Sequence, residues 1–270
     1  MKADLFYKSA FGRFLLKLIQ GLGFFKVGAW YLHTKASKSM ISSFIEKNKI
    51  DMSAYQGQTY NSYAEFFARK MEHTFNSDRN VFISPCDGLL SIYPIEKDMI
   101  VAMKGSHYRI QDIIPDSKLA DEFNDGLFLI FRLEATDYHH FCSFDDLEIL
   151  DTQFIEGQLH SVQPIACETV PVYRLNRRWI SQLATSYFQK ALQIEVGAMI
   201  VGGVHFAKEK GKLAKGDEMG NFELAGSTIV LVINKDVKEQ LALYPAFEKA
   251  MNGKQEVRVK IGEGIGRLKV

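Results

Sequence analysis

NFELAGSTIVLVINK, residues 221–235, sets a small hydroxyl-bearing turn directly against an apolar run. From Thr228 to Asn234 most side chains are aliphatic, and five are β-branched. Such side chains are stiff at χ1 and fit the pleated surface of a buried strand. The turn, Ala225-Gly226-Ser227-Thr228, has two readings. It starts a buried strand, or Gly226–Ser227 is a bond that the chain breaks itself. Glycine removes bulk beside the carbonyl to be attacked and permits unusual backbone angles. Serine is a weak nucleophile until a base and a fitting geometry activate it. Four residues do not choose between these readings.

Outward from this stretch, the chain from about Val81 to Val270 keeps one texture. Short runs rich in Val, Ile, Leu and Phe alternate with Gly, Asp, Asn and Pro: LLSIY (89–93), LFLIFRL (127–133), LEILDTQFI (147–155), LQIEVGAMIVGGV (192–204) and TIVLVIN (228–234). EVRVKI (256–261) alternates strictly, with Val257, Val259 and Ile261 on one face. This is a β-rich pattern. Upstream the spacing is helical. SKSMISSFIEKNK (37–49) places Met40, Ile41, Phe44 and Ile45 at helical spacing. In SYAEFFARKME (62–72), Ser62 and Glu65 form a capping-box pattern and Tyr63, Phe66, Phe67 and Met71 share a face. Helices followed by sheet predict an α+β chain, with a helical region over 1–75 and a β-rich domain over 76–270.

The 270 residues are 47% hydrophobic and 24% charged, which excludes long disorder. The net charge of +1 points to no partner, but its distribution does. Leu5 to Ile45 holds Lys8, Arg13, Lys17, Lys26, Lys35 and Lys38 and no acid. Its longest uncharged run is eight residues, whereas a spanning helix needs about 20. No cleavable leader is evident. Apolar residues with a purely basic polar set predict helices lying in a membrane interface, and Phe11, Phe14, Phe24, Phe25 and Trp30 suit that boundary. The alternative is a core-packing helix that lacks acids. Cys86, Cys142 and Cys167 have no metal-ligand spacing, and no metal is expected. An odd cysteine count predicts a reducing compartment.

Four short patterns hold candidate chemistry. SPCDGLL (84–90) offers Asp87 in a Pro/Asp-Gly turn, which it would cap. ATDYHHFCSFDD (135–146) offers His139, His140 and Cys142; imidazole is the side chain best poised for proton transfer near neutrality. KGDEMGNF (215–222) reads as a turn with solvated charges. AGST (225–228) is the fourth.

In this order and spacing they resemble the phosphatidylserine decarboxylase family, together with EFFARK (65–70), HSVQPIA (160–166), NRR (176–178) and VGAMIVG (196–202). The resemblance runs from about Tyr63 to Val270. It implies a self-processing precursor cleaved between Gly226 and Ser227, giving a β chain and an α chain, with Ser227 converted to a covalent pyruvoyl group. That group would form a Schiff base with phosphatidylserine and release CO₂ to give phosphatidylethanolamine. By the same resemblance Ser227 is the self-cleaving serine, Asp87 the aspartate of an Asp-His-Ser processing triad, and His139 the histidine linked to decarboxylation. A homodimer bound peripherally to anionic membrane at the cytoplasmic face is implied, with no nucleic-acid partner.

Two positions depart from the family pattern. His140 stands where Arg is usual. Cys142 stands where many members have the triad histidine, and a thiol is a poorer base than imidazole at neutral pH. His139 is therefore expected to double as the base, with His140 or Cys142 as a processing base or substrate contact. The competing reading is a non-cleaving relative that binds lipid or protein. A serine hydrolase is weaker still, because no GxSxG surrounds Ser227.

Overall fold

The computed structural model describes residues 4–96, 101–103, 106–198, 203–224 and 227–269. Gly226, and with it one side of the expected cleavage bond, lies outside the described residues, as does 199–202. The N-terminal helices are α1 (Asp4–Tyr7), α2 (Ala10–Gly21), α3 (Phe24–His33), α4 (Ser39–Asn48) and α5 (Tyr63–Phe67). The strands that follow are β1 (Val81–Ile83), β2 (Gly88–Pro94), β3 (Val101–Met103), β4 (Ser106–Tyr108), β5 (Leu127–Leu133), β6 (His140–Cys142), β7 (Leu147–Ile155) and β8 (Arg178–Thr185). Then come β9 (Lys190–Val196), β10 (Val204–Phe206), β11 (Gly211–Leu213), β12 (Glu218–Phe222), β13 (Ser227–Ile233), β14 (Leu241–Leu243), β15 (Val257–Val259) and β16 (Gly264–Leu268). The α+β class is as expected.

An antiparallel sheet of eight strands, in the order β11-β7-β8-β9-β13-β5-β2-β15, forms the centre. Strand β13 lies within it, paired with β5 from Ser227↔Leu133 to Ile233↔Leu127 and with β9 from Thr228↔Val196 to Ile233↔Ala191. Successive side chains of a strand point to opposite faces. Val230 and Val232 therefore join one core cluster with Phe128, Ile130, Leu192 and Ile194. Ile229, Leu231 and Ile233 join a second with Leu129, Phe131, Leu90 and Ala191. Being covered on both faces explains why β13 reads as a continuous apolar run rather than an alternating one. Each such fully buried aliphatic or phenyl side chain contributes about 1.5–3 kcal/mol.

Helices α1 and α2 pack on the first face through Phe6, Tyr7 and Leu16. The Tyr7 hydroxyl accepts from Ser161 N at 2.9 Å, and Gln20 Nε2 donates to Leu159 O at 2.7 Å. A three-stranded sheet, β10-β12-β6, contributes Phe141 and Phe222 to the second core. A third sheet, β1-β16-β14, adds Phe82 and Ile265 to that core.

Some local expectations shift. The apolar run 192–204 is not one strand: β9 ends at Val196 and β10 begins at Val204. Helix α5 stops at Phe67, short of Met71. Ser62 Oγ accepts from Glu65 N at 3.2 Å, but Glu65 Oε2 accepts from Asn61 N, one residue upstream of the usual capping-box donor. On α4, Ile41 is buried and Met40 exposed. Among the described residues no helix is long and apolar enough to cross a membrane.

Candidate active site

Ser227 is the first residue of β13 and is buried. Its register partner Leu133 lies beside Gly88, the first residue of β2. Gly88 has φ +152°, and a Cβ there would stand 2.9 Å from Arg132 O. Only glycine allows β2 to approach β5 so closely at this end of the sheet.

Asp87 precedes that glycine and is buried. It does not simply cap its own turn. Oδ1 accepts from Ile261 N at 2.9 Å and Oδ2 from Lys260 Nζ at 2.7 Å, tying the turn to the chain after β15. Strand β5 stands between Asp87 and Ser227, two strand spacings or about 10 Å across the sheet. No hydrogen bond joins Asp87 to Ser227 or to either histidine of 139–140 among the described residues.

His139 and His140 are both buried, although an adjacent pair in a strand-end loop reads as surface. His139 O accepts from Phe222 N, which extends the β6–β12 ladder by one residue. Strand alternation then turns His139 to the side of Phe141, toward the large sheet, and His140 to the other. The His139 ring lies 4.1 Å from the Phe67 ring, and Phe67 shares a core cluster with Leu224, three residues before Ser227. Its Nδ1–H donates to Asp137 O at 2.9 Å, and its buried Nε2 has no partner among the described residues. Burial, aided by the nearby charges of Arg69 and His140, pushes this imidazole down to about 3. The ring is neutral at physiological pH, with a lone pair on Nε2.

His140 is fully engaged. Nδ1 bonds Glu218 Oε1 at 2.8 Å and Nε2–H donates to Ala68 O at 3.0 Å, so neither nitrogen keeps a free lone pair. Cys142 donates its backbone N–H to Pro85 O and so lies against the Ser84–Asp87 turn. Burial pushes its thiol up to about 12, the opposite direction from a reactive thiolate. The charges of KGDEMGNF do not all sit in water. Lys215 is buried, and its Nζ donates to Asp78 O and Val81 O.

One buried polar pair escaped the sequence reading. On β9, Gln193 and Glu195 are fully buried, and Gln193 Nε2 donates to Glu195 Oε1 at 2.8 Å. Gln193 Oε1 and Glu195 Oε2 have no partner among the described residues. An unsatisfied buried polar atom costs about 1–3 kcal/mol. The available signal was an acid and an amide at alternate positions of an otherwise apolar run.

A cavity of about 510 Å³ reaches Asp87 and is lined also by Tyr55, Arg69, Tyr138, Arg258 and Lys260, while Ser227, His139, Gln193 and Glu195 do not line it. The Arg69 guanidinium is buried between the Tyr55 and Phe66 rings and donates to Phe66 O and Thr136 O. Among the described residues no cluster of His, Cys, Asp or Glu could hold a metal.

The family model for phosphatidylserine decarboxylase matches residues 63–267. The chain belongs to the phosphatidylserine decarboxylase family. It is 38% identical over 264 residues to phosphatidylserine decarboxylase proenzyme 2 of Clostridium acetobutylicum, covering 96% of this chain and 89% of that one. The phosphatidylserine decarboxylase proenzymes of Clostridium beijerinckii and Ruminiclostridium cellulolyticum are 34% and 33% identical, each over 96% of this chain and 90% and 89% of theirs. The resemblance read from the motifs is borne out. At 96% of this chain, the three relatives also align with most of the residues before 63, which the family model leaves uncovered.

Proposed function

We propose that this chain is a phosphatidylserine decarboxylase precursor that cleaves itself before Ser227 and then converts phosphatidylserine to phosphatidylethanolamine and CO₂. The observation that carries the reading is Ser227 itself. It is a buried serine at the head of a strand clamped on both sides, in a chain of this family. The strand holds the residue in place after its preceding bond is broken. Ser227 Oγ attacks the carbonyl of residue 226 and passes its proton to a base. His139 is that base: its Nδ1–H is committed to Asp137 O, and its neutral Nε2 is the free acceptor. Asp87 acts through its ties to Lys260 and Ile261, fixing the turn against which Cys142 rests.

The side chains on the Ser227 face fit the pyruvoyl group, because Glu195 Oε2 lies buried there without a partner among the described residues and, carrying a proton, can donate to a group that brings carbonyl oxygens. That group supplies a carbonyl to capture the substrate amine and an electron sink for loss of CO₂. The 510 Å³ cavity, bordered by Arg69, Arg258 and Lys260, receives the zwitterionic, net anionic headgroup; Lys260 is paired with Asp87 there and Arg258 with Asp137 and Glu134. Helices α2 and α3 rest on the membrane that carries the substrate. Their outward side exposes Phe11, Phe14, Leu18, Leu22, Phe24, Val27 and Trp30, and Arg13, Lys17 and Lys26 lie among them. Each cation near an anionic surface adds about 1 kcal/mol.

A specific observation favours the second reading, a non-cleaving lipid-binding relative. Asp87 is turned to Lys260, and the Cys142 thiol is no base. Intact mass under denaturing conditions decides. Two chains divided at 226/227, the smaller one blocked at its N-terminus, followed by CO₂ release from phosphatidylserine vesicles, support the decarboxylase. A single stable 30.7 kDa chain supports the binding protein.

A further inference from the structure

Resting on that reading, we propose that Glu195 is the proton donor of the Ser227 site. In the β9–β13 ladder Glu195 stands opposite Ile229, and directly opposed residues share a face. Ser227 is two residues before Ile229 and so shares that face. It is the diagonal neighbour of Glu195, with Cα atoms about 7–8 Å apart. A glutamate side chain spans most of that separation. Its Oε1 is held by Gln193 Nε2 at 2.8 Å, which leaves Oε2 as the end without a partner among the described residues. The carboxyl is thus aligned from behind and open on one oxygen, beside the residue from which the reactive group is made.

The reaction needs such a group. When the substrate carbon loses CO₂, the electron pair of the broken C–C bond ends in a new C–H bond. The proton of that bond comes from Glu195 Oε2–H, and the carboxylate then regains a proton from solvent. One proton is consumed for each CO₂ released. His139 cannot supply the proton at neutral pH, because its Nε2 holds a lone pair. Burial raises Glu195 to about 8, so it carries a proton to give. Two titratable groups pushed apart in this way divide the acid and base roles.

The strand neighbours of Glu195 bring no competing charge. From β8 the neighbours are Trp179, opposite Glu195, and Ser181, opposite Gln193; from β13 they are Ile229 and Leu231. None of these is charged. The covering sheet β10-β12-β6 and its edge bring His139, Cys142, the pair His140–Glu218 and the pair His205–Glu223. His139 is displaced to about 3 and Cys142 to about 12, both far from 8.

The test compares wild type, Glu195→Gln and Glu195→Asp, each as the full chain. Intact mass should show self-cleavage in all three. Turnover of phosphatidylserine vesicles should fall by about 100-fold or more in Glu195→Gln, the usual worth of a positioned acid. Wild-type turnover should decline as pH rises through about 8. Glu195→Asp should keep that decline at a reduced rate, and the residual turnover of Glu195→Gln should lack it. A readout without turnover is the infrared spectrum of the Ser227→Ala precursor. At neutral pH it should show the C=O stretch of a protonated carboxylic acid, absent once Glu195→Gln is added. Unchanged turnover and pH profile in Glu195→Gln would overturn the proposal, and so would absence of that band. Loss of self-cleavage in a Glu195→Gln chain with a normal melting transition would move Glu195 to maturation and overturn it equally. If the wild type cleaves but never turns over phosphatidylserine, the decarboxylase reading fails, while the infrared band still reports separately on the Glu195 proton.

Discussion

The outward side of α2 and α3 and the inner face of the large sheet at Ser227 are opposites. On the helices, large apolar side chains lie in solvent: Phe11 is 74% exposed and Trp30 68%. At the sheet, polar atoms lie in the interior without partners among the described residues: His139 Nε2 and Glu195 Oε2. Each arrangement costs free energy in the isolated chain, the first through hydrated apolar area and the second through desolvated polar atoms. Both make sense if a missing partner supplies the complement, a lipid surface for one and a reacting group for the other. A lipid-modifying enzyme needs both kinds of incompleteness, and here they are kept in different parts of the chain.

The comparison breaks most completely at Ser227. Ser227→Ala should leave one chain of 30.7 kDa with no turnover, read by intact mass and CO₂ release. Two fragments and activity in that variant would remove the reason for the unmet polar atoms. Next in size is the base. His139→Ala should slow self-cleavage by about 100-fold or more, followed by mass against time. Cys142→Ala should still cleave, because its thiol, pushed up to about 12, keeps its proton at neutral pH and offers no thiolate to act as base. The reverse pattern would make the thiol the base.

A smaller effect concerns stability. Glu195 has its carboxyl raised from 4.5 to about 8, so the folded chain binds more protons than the unfolded one between those values. Stability of the Ser227→Ala precursor should therefore fall as pH rises through that window, by up to about 1.4 kcal/mol per pH unit from this group. Glu195→Gln should flatten that limb in thermal melts. His139 acts with the opposite slope: lowered from 6.5 to about 3, it costs stability as pH falls through that range.

The smallest expected effect sharpens the other half of the comparison. Truncating residues 1–30 would strip Phe6, Tyr7 and Leu16 from the core, so point changes on the outer side are cleaner. Phe14→Ala or Trp30→Ala should weaken sedimentation with phosphatidylserine vesicles by about fivefold, the worth of roughly 1 kcal/mol of partly buried ring. Binding should also drop with added salt, which screens the cations. Unchanged binding and no salt dependence would leave the exposed rings unexplained.

The candidate residues were legible in the chain. The apolar run of β13 had only one comfortable environment, and the family resemblance pointed to Asp87, His139 and Ser227 as candidates. Other features were not. Lys215 reads as a solvated turn cation, yet two carbonyls separated from it by more than a hundred residues draw it inside. Glu195 reads as a stray acid in a strand. Only the register of β9 on β13 puts it on the face of Ser227. The same holds for the partner of Asp87, because nothing near residue 87 foretells a bond to Lys260 and Ile261.

By itself the amino-acid order determined the class, the strand that carries Ser227 and the family, because these follow from periodicity and from short motifs whose atoms are neighbours in the chain. Tertiary structure alone decided which nitrogens are free, which carboxyl is neutral and which thiol is inert. Those properties depend on desolvation and on partners brought together by strand pairing across long sequence separations, and no local pattern records them.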